Sequence, residues 1–446
     1  MSSKAILEYD AKLLLTYWLP RSPALGSVVG PNTVSEQPAV AQVVWDESSS
    51  SVSANLPNWV RTNPSFVAKP DQLIKRRGKA GLLSLNKDLA ASLDWIKQRA
   101  GKDVQVEHTV GRLTSFILEP FLPHKQDDEY YVCVTSSRSC DTILFTTEGG
   151  VDVGDVDSKA KKLDIPIQIP LVFPERDVVK STLLKNVPES RKEALCDFIV
   201  RLYSMYVDLH FAYLEINPLV VLENNGHLSV HPLDMAAKID QTAESIVGMK
   251  WAIARDWSVY DVSATSASKG PDRGPPMTFP APFGRLLTPA EAYIQKLDAS
   301  TGASLKLTIL NEAGRVWTMV AGGGASVVYS DAICGAGFAH ELANYGEYSG
   351  APTEGQTYEY AKTILALMTK APHPSGQGKI LIIGGGIANF TNVAATFKGG
   401  SFSVFLLAVL TFSKASSAHS KNSKSSSSNV KSKSTFVAVV QTGRKV

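Results

Sequence analysis

A dense basic cluster follows a short apolar run in the sequence FVAKPDQLIKRRGKAGLLSLN, which begins at Phe66. Lys69 lies near the end of the apolar run, and Gly78 and Gly81 lie within and after the cluster. Two interpretations are open. The segment is either an exposed hairpin with a solvated basic loop, or a phosphate site in which glycine backbone closes over an anion. The segment alone does not decide between them.

A second candidate site combines Asn217 in LEINPL with Asp234 in HPLDMAAK. Both residues lie at or near the ends of two strands that are predicted around an Asn-Asn-Gly turn. Adjacent strands would bring an amide oxygen and a carboxylate together, and Mg²⁺ prefers such ligands, completed by phosphate oxygens and water. Ordinary turn chemistry is the alternative, since Asn-Pro and Leu-Asp are common dipeptides.

Taken together, these parts could form an ATP site that needs no Walker motif, which the chain lacks. The run ILEPFLP supplies Glu119 and an apolar stretch, and Glu129 follows ten residues after Glu119. Adenine needs an apolar slot with backbone hydrogen bonds, and a ribose needs a carboxylate for its hydroxyl groups.

The composition limits the class of protein. A length of 446 residues predicts two or three domains, and 44% hydrophobic residues suffice for their cores. The net charge of +3 gives no field that points to nucleic acid or a membrane. The four cysteines show no C-x-x-C pair and no zinc spacing, so they indicate reduced thiols in the cytosol.

The elements that would position these residues form an α/β protein. The N-terminus predicts an amphipathic helix that ends at Pro20 and is not a targeting peptide. Residues 21–62 show no sustained period, and strands alternate with helices from Phe66 to Ala237. Residues 252–278 lack periodicity and are interpreted as an inserted linker.

A second α/β unit is predicted from residue 279 to residue 400. It contains the glycine loops Gly322 to Gly324 and Gly384 to Gly386, each after a strand and before a helix, which predicts a parallel sheet with helical crossovers. Residues 401–446 begin with an apolar run too short to span a bilayer with certainty and continue as a Ser/Lys tract that predicts disorder.

Several long runs resemble the ATP-citrate lyase family, also called ATP-citrate synthase, which is related to the β subunit of succinyl-CoA synthetase. They are VAKPDQLIKRRGKAGL, FILEPFLPH, EGGVDVGDVDSKAKKL, YLEINPLVV, RVWTMVAGGGASVVYSDAIC, ELANYGEYSGAP and IANFTNVAATFKG. The resemblance implies an ATP-grasp domain over 1–251, followed by a Rossmann-like or flavodoxin-like citrate-binding domain over 279–400 that is incomplete.

By this resemblance, three sets of residues have roles, and ATP and Mg²⁺ are the expected cofactors. The expected ATP-binding residues are Lys69, Arg77, Gly78, Pro120, Leu122 and Glu129. Asn217 and Asp234 are the expected magnesium ligands, and Gly350, Asn389 and Thr391 are the expected citrate-binding residues. None of the eight histidines lies in a context that matches the family's phosphohistidine, and His124 and His231 are expected to be structural.

The resemblance also implies what this sequence lacks. No arginine lies between Arg315 and Arg444, although the family's citrate domain continues with a strand that bears a citrate-contacting arginine. The phosphohistidine, the CoA site and the cleavage domain belong to a C-terminal half that is expected as a partner. The hypotheses are therefore the ATP- and citrate-binding part of a cytosolic ATP-citrate synthase, a truncated form that binds nucleotide or joins oligomers without turnover, and a β subunit of another acid–CoA ligase.

Overall fold

The computed structural model describes residues 3–21, 33–35, 37–46, 49–54, 56–150, 159–260, 274–285, 287–300, 302–385 and 438–441. The chain divides into two units, Met1–Leu286 and Leu287–Val446. Each unit has its own sheets and hydrophobic core. Within the described ranges, no helix combines the length and the apolar character needed to cross a membrane.

The described part of the first unit contains fourteen strands and six α-helices. The strands are β1 (Ser3–Ile6), β2 (Ala41–Asp46), β3 (Ser51–Ala54), β4 (Phe66–Pro70), β5 (Ser84–Lys87), β6 (Asp103–Val106), β7 (Thr109–Arg112), β8 (Ser115–Pro120), β9 (Glu129–Ser136), β10 (Cys140–Thr146), β11 (Lys161–Pro166), β12 (Phe211–Asn224), β13 (His227–Pro232) and β14 (Met235–Asp240). The helices are α1 (Glu8–Trp18), α2 (Asn58–Thr62), α3 (Leu89–Lys97), α4 (Arg176–Thr182), α5 (Glu189–Asp208) and α6 (Glu244–Ala254).

The larger sheet of this unit is organised around strand β12. Its order is β1-β14-β12-β9-β10-β11, β13 pairs with β12 as well, and every pairing is antiparallel. The predicted turn between β12 and β13 is confirmed, because Asn225 and Gly226 have φ angles of 51° and 80°. Those values suit a two-residue hairpin loop of the primed type. One strand thus reaches both β13 and β14.

The smaller sheet of this unit has the order β3-β2-β8-β4-β5, and β6 and β7 form a separate hairpin. Strand β4 carries Lys69 and pairs with β8, which carries Glu119. Val67 lies opposite Glu119 and Lys69 lies opposite Ile117 in this register. The pairing therefore brings the first lysine of the basic segment beside the residues that precede Pro120.

Helix α1 differs from its prediction. It spans Glu8–Trp18 and is followed by a 3₁₀ turn, Leu19–Arg21, that contains Pro20. The helix is present, but its predicted amphipathic character is wrong, because Glu8, Asp10 and Lys12 are buried along with the apolar positions. The helix packs against β14, α5 and α6, so its charged side chains face other parts of the protein instead of water.

The described part of the second unit contains five strands and three α-helices. The strands are β15 (Ser304–Ile309), β16 (Val316–Ala321), β17 (Asn344–Ser349), β18 (Ile380–Gly385) and β19 (Ala438–Gln441). The helices are α7 (Pro289–Ala299), α8 (Gly323–Ile333) and α9 (Glu354–Thr369).

The sheet of the second unit is mixed. Its order is β15-β17-β16-β18-β19, and β16 pairs in parallel with β17 and β18. The prediction of a parallel sheet is correct for these strands and wrong for β15, which is antiparallel to β17. An antiparallel edge strand on an otherwise parallel sheet is common in α/β domains.

The predicted boundaries of the tail, 401–446, and of the insertion, 252–278, stay predictions. Residues 401–446, with the Ser/Lys tract predicted to be disordered, lie outside the described residues apart from β19, which follows the tract and pairs in parallel with β18. At the start of the predicted insertion, helix α6 continues to Ala254. Beyond it, Nε1 of Trp257 donates a hydrogen bond of 2.6 Å to the hydroxyl group of Tyr9 in α1.

Candidate functional site

The basic segment separates into buried and exposed cations. Lys69 is 3% exposed and Arg77 is 7% exposed, whereas Lys75, Arg76 and Lys79 are exposed. A solvated basic loop therefore accounts for part of the cluster only. Charged side chains are rarely buried unless they are paired, so the partners of Lys69 and Arg77 define the site.

Two lysines and two glutamates form a closed ring of buried ion pairs. Nζ of Lys69 lies 2.8 Å from Oε1 of Glu8 and 2.9 Å from Oε2 of Glu119. Nζ of Lys12 lies 2.9 Å from the same Oε1 of Glu8 and also contacts Oε1 of Glu119. The carbonyl oxygen of Leu233 accepts from both lysines, at 2.7 Å from Lys69 and 3.0 Å from Lys12.

Arg77 joins this ring to the second candidate site. Its Nη1 donates to the carbonyl of Pro70 at 2.8 Å, which holds the guanidinium against the end of β4. Its Nη2 donates to Oε2 of Glu8 at 2.5 Å and to Oδ1 of Asp234 at 2.6 Å. Arg77 thus contacts a buried carboxylate and a predicted magnesium ligand with one nitrogen.

The mutual attraction of these groups keeps them charged. Burial would raise the pKa of Glu8, but Lys12, Lys69 and Arg77 hold it well below its ordinary value. Burial opposes the charged forms of the two cations as well, yet Glu119 and Glu8 raise the pKa of Lys69, and Glu8 foremost raises the pKa of Arg77. Opposite charges a few ångströms apart favour each other's ionised forms.

Asp71 is the exception among these carboxyl groups. Its Oδ1 accepts a hydrogen bond of 2.9 Å from the backbone N–H of Glu8, and its Oδ2 has no partner. Burial, reinforced by the charge of Glu8, raises the pKa of Asp71 to about 7. The site therefore contains one carboxyl group that titrates near neutral pH.

The backbones of Asn217 and Asp234 lie opposite each other, whereas the side chain of Asn217 bonds Gly150 and that of Asp234 bonds Arg77. The backbone N–H of Asn217 donates to the carbonyl of Asp234 at 3.0 Å, and the side chain of Asp234 is 42% exposed. An amide oxygen and an accessible carboxylate fit a magnesium ion that takes its other ligands from water and phosphate. Among the described residues, no cluster of three or more His, Cys, Asp or Glu could hold a metal alone.

The residues expected around the base and ribose meet through His124. Its Nδ1 lies 2.6 Å from the carbonyl of Leu122, and its Nε2 lies 3.1 Å from Oε1 of Glu129. Pro120 ends β8 and Glu129 begins β9, so both flank the connection that carries this histidine. His124, expected to be structural, therefore orients two predicted nucleotide-binding groups.

Gly150 connects the Glu129 side of the site to Asn217. Its N–H donates to Oδ1 of Asn217 at 2.7 Å. Its φ is +96°, and an added Cβ would lie 2.3 Å from Oε2 of Glu129. Only a glycine permits this approach. Gly78 lies at the opposite end, in an exposed turn where its carbonyl accepts from the N–H of Gly81 at 3.1 Å.

Pro120 also lines a cavity of about 890 Å³ that does not reach Leu122 or Glu129. Its described lining includes four aromatic side chains and no charged group. The aromatic residues are Tyr9, Trp59, Trp257 and Tyr260. This cavity therefore differs in character from the charged site.

The citrate-binding residues are described only in part. Gly350 follows β17 with a φ of +69°, whereas Asn389 and Thr391 lie outside the described residues, as does Gly386. The two glycine loops begin at neighbouring strand ends, because Val320 pairs with Gly384 in parallel strands. Helix N-termini at such strand ends attract anions.

Sequence reasoning missed Lys12 and Asp71 and did not assign Glu8. A usable signal existed only for α1, where LEYDAKLLL places charges at alternate positions inside an apolar run. Glu8 and Lys12, four positions apart, share one helix face, but Asp10 lies on another, so the three charges cannot all lie on one solvated face.

The fold and this site define a nucleotide-binding protein of the ATP-grasp class with a second α/β unit. Residues 2–251 match the family described as ATP-citrate synthase ATP-grasp domain, and residues 285–406 match ATP citrate lyase citrate-binding. The chain belongs to the ATP-citrate synthase family.

Three relatives show the extent of the likeness. The probable ATP-citrate synthase subunit 2 of Schizosaccharomyces pombe is 54% identical over 89% of this chain and 85% of its own length. The ATP-citrate synthase of Homo sapiens is 49% identical over 90% of this chain, which spans only 32% of that protein. The structure of ATP citrate lyase from Methanothrix soehngenii in complex with citrate and coenzyme A has a TM-score of 0.69 and 38% identity, and the match covers 90% of this chain and 85% of that one.

Proposed function

We propose that this chain is the ATP- and citrate-binding subunit of an ATP-citrate synthase, which forms acetyl-CoA and oxaloacetate from citrate, CoA and ATP. The observation that carries the proposal is the pairing of Arg77 with Asp234. It joins the buried cations to the Asn217–Asp234 pair inside the segment that matches the ATP-grasp domain. The name subunit 2 of the fission-yeast relative supports a separate partner chain with the CoA and cleavage sites.

In this proposal the protein groups position the nucleotide and balance its charge. Lys69 and Arg77 hold the phosphates, with the backbone near Gly78 covering them, because phosphoryl transfer depends on positioning and on neutralising the phosphoryl oxygens. Glu129, oriented by His124, accepts from the ribose hydroxyl groups.

Pro120 and Leu122 line the base in the same proposal. Asn217 and Asp234 hold magnesium, which when bound would neutralise the nucleotide's phosphate oxygens.

Citrate is proposed to bind at the glycine loops of the second unit, with Gly350, Asn389 and Thr391 as its contacts. This sequence has no arginine between Arg315 and Arg444 to pair with a carboxylate. Bidentate arginine contacts are among the stronger polar interactions. We therefore expect the isolated chain to bind ATP normally and citrate weakly. The cytosol is the proposed compartment, in agreement with four free cysteine thiols.

Two measurements test the proposal. Calorimetric titration of the full chain with Mg-ATP, and separately with citrate, should show tight nucleotide binding and weak citrate binding. Acetyl-CoA formation should require addition of a CoA-binding partner subunit. Binding of ATP without turnover in any mixture would favour a non-catalytic nucleotide-binding subunit, and turnover with succinate in place of citrate would favour another acid–CoA ligase. Absence of ATP binding would refute the proposal.

A further inference from the structure

Lys12 and Lys69 bind one shared set of acceptors. Each ammonium group contacts Oε1 of Glu8, one carboxylate oxygen of Glu119 and the carbonyl oxygen of Leu233. The two lysines come from different elements, α1 and β4, and both side chains are almost fully buried.

The duplication matters because an ammonium group has three N–H donors. Lys69 donates hydrogen bonds to Glu8 and to the Leu233 carbonyl and forms an ion pair with Glu119, so three acceptors surround its ammonium group. A phosphate oxygen would compete with these three acceptors for Lys69 and weaken its contact with at least one of them. A buried carboxylate that loses its only cation is strongly destabilised, so Lys69 can turn away only if another cation stays.

Glu8 would keep Arg77 in any case, because Nη2 of Arg77 contacts its other oxygen at 2.5 Å. If Lys69 turns away, Glu119 keeps a cationic partner only through Lys12, since its described ion pairs are those with the two lysines. The carbonyl of Leu233 likewise keeps a donor only through Lys12.

We propose that Lys12 is a positioning residue of the nucleotide site. It keeps Glu8, Glu119 and the Leu233 carbonyl paired while Lys69 turns its N–H groups toward the phosphates. Lys12 itself does not contact the nucleotide. This inference rests on the proposed function, because it needs a phosphate ligand at Lys69.

The first test is Lys12→Met in the full chain, with calorimetric titration of ADP and of adenosine. Methionine keeps an apolar stem of similar length but removes every donor, so Lys69 becomes the sole ammonium group on Glu119. ADP affinity should fall about tenfold or more, as for a lost charge-assisted hydrogen bond. Adenosine affinity should stay unchanged, because adenosine has no phosphate. Lys4→Met, at an exposed position in β1, is the matched control and should bind both ligands normally.

A rescue experiment separates positioning from a merely structural role. Adding Glu119→Gln to Lys12→Met removes the carboxylate that holds Lys69, so ADP affinity should return toward that of the unaltered chain. If Lys12→Met does not fold, Glu119→Gln alone provides the test. It releases one acceptor of Lys69 and should raise ADP affinity, and an unchanged or lower affinity would overturn the inference.

The outcomes distinguish this inference from the proposed function. If the unaltered chain binds no nucleotide, both fail. If it binds ADP and Lys69→Met abolishes binding while Lys12→Met binds normally, only the role of Lys12 fails. An equal loss of ADP and adenosine affinity in Lys12→Met, without rescue, would show that Lys12 only supports the fold.

Discussion

Arg77 and Asp234 form an ion pair in which Nη2 lies 2.6 Å from Oδ1. The same Nη2 also contacts Glu8, which is almost fully buried, whereas the side chain of Asp234 is 42% exposed. A metal ion can therefore reach Asp234 and not Glu8. Metal binding and the orientation of Arg77 are expected to be linked, because both depend on this carboxylate.

We predict that Asp234→Asn weakens ATP binding more in the presence of magnesium than in its absence. The substitution removes the anionic ligand of the proposed metal site, and neutral amide oxygens bind Mg²⁺ less strongly. Titration of ATP with excess magnesium and with a chelator measures the two affinities. Asp94→Asn, at an exposed position on α3, is the control. Equal losses under both conditions would identify Asp234 as a structural residue.

Lys69→Met is expected to lower ATP affinity about tenfold or more, since a lost charge-assisted hydrogen bond costs roughly 1.5–3 kcal/mol. Methionine retains the apolar stem in this buried position, and Lys12 still pairs with Glu8 and Glu119. Lys75→Met removes an exposed cation of the same basic cluster and should have little effect. Calorimetry on folded variants gives the comparison. Unchanged affinity in Lys69→Met would exclude Lys69 from the phosphate site.

Gly150→Ala should weaken nucleotide binding more than it destabilises the fold. The new methyl group would lie 2.3 Å from Oε2 of Glu129 and displace the proposed ribose ligand. Gly226→Ala is the matched control, because Gly226 also has a positive φ, of +80°, but has no atom within 4 Å of an added Cβ. Thermal unfolding and ATP titration of both variants separate backbone strain from the displacement of Glu129. Normal ATP binding by Gly150→Ala would contradict the role of Glu129.

Asp71 should make the stability of the first unit depend on pH. Its pKa of about 7 in the folded state exceeds the ordinary value of 3.8, so the folded chain holds this proton more tightly than the unfolded chain. The free energy of unfolding should therefore fall as the pH rises from about 4 to about 7, by up to about 1.4 kcal/mol per pH unit.

Asp71→Asn removes the titrating group, so the free energy of unfolding of this variant should fall less as the pH rises from about 4 to about 7. Its stability relative to the unaltered chain should rise with pH up to about 7 and then stay constant. Urea unfolding at several pH values measures the difference, and Asp127→Asn at an exposed position is the control. A difference that does not change with pH would mean that Asp71 has an ordinary pKa in the folded protein.

The sequence predicted local relationships better than distant ones. Asn217 and Asp234 meet because one hairpin and a recognisable turn join their strands, and such patterns are visible along the chain. The burial of Glu8 and Lys12 was not predictable in this way, since their partners Lys69 and Glu119 lie 61 and 107 positions away in the sequence. Hydrophobic periodicity describes neighbouring residues and therefore does not predict pairings between distant ones.

The second unit shows the same limit. The glycine loops after β16 and β18 were predicted from strand, glycine and helix signals that lie next to each other in the sequence. The direction of β15 depends on which strand it joins, and β17, its partner, follows only after β16, α8 and two short helical segments. The pairing of β19 with β18 likewise spans a Ser/Lys tract that gives no local indication of a strand.

The contacts of α1 with later parts of the chain can form only late in protein synthesis. Oε1 of Glu8 accepts from the N–H of Met235, which is translated 227 residues later, and Lys12 donates to the carbonyl of Leu233, 221 residues later. Helix α1 leaves the ribosome long before β14, so it must keep its charges solvated until most of the first unit has followed. Because a ligand stabilises only a state that can bind it, ATP should give no protection from proteolysis to nascent chains arrested before Met235.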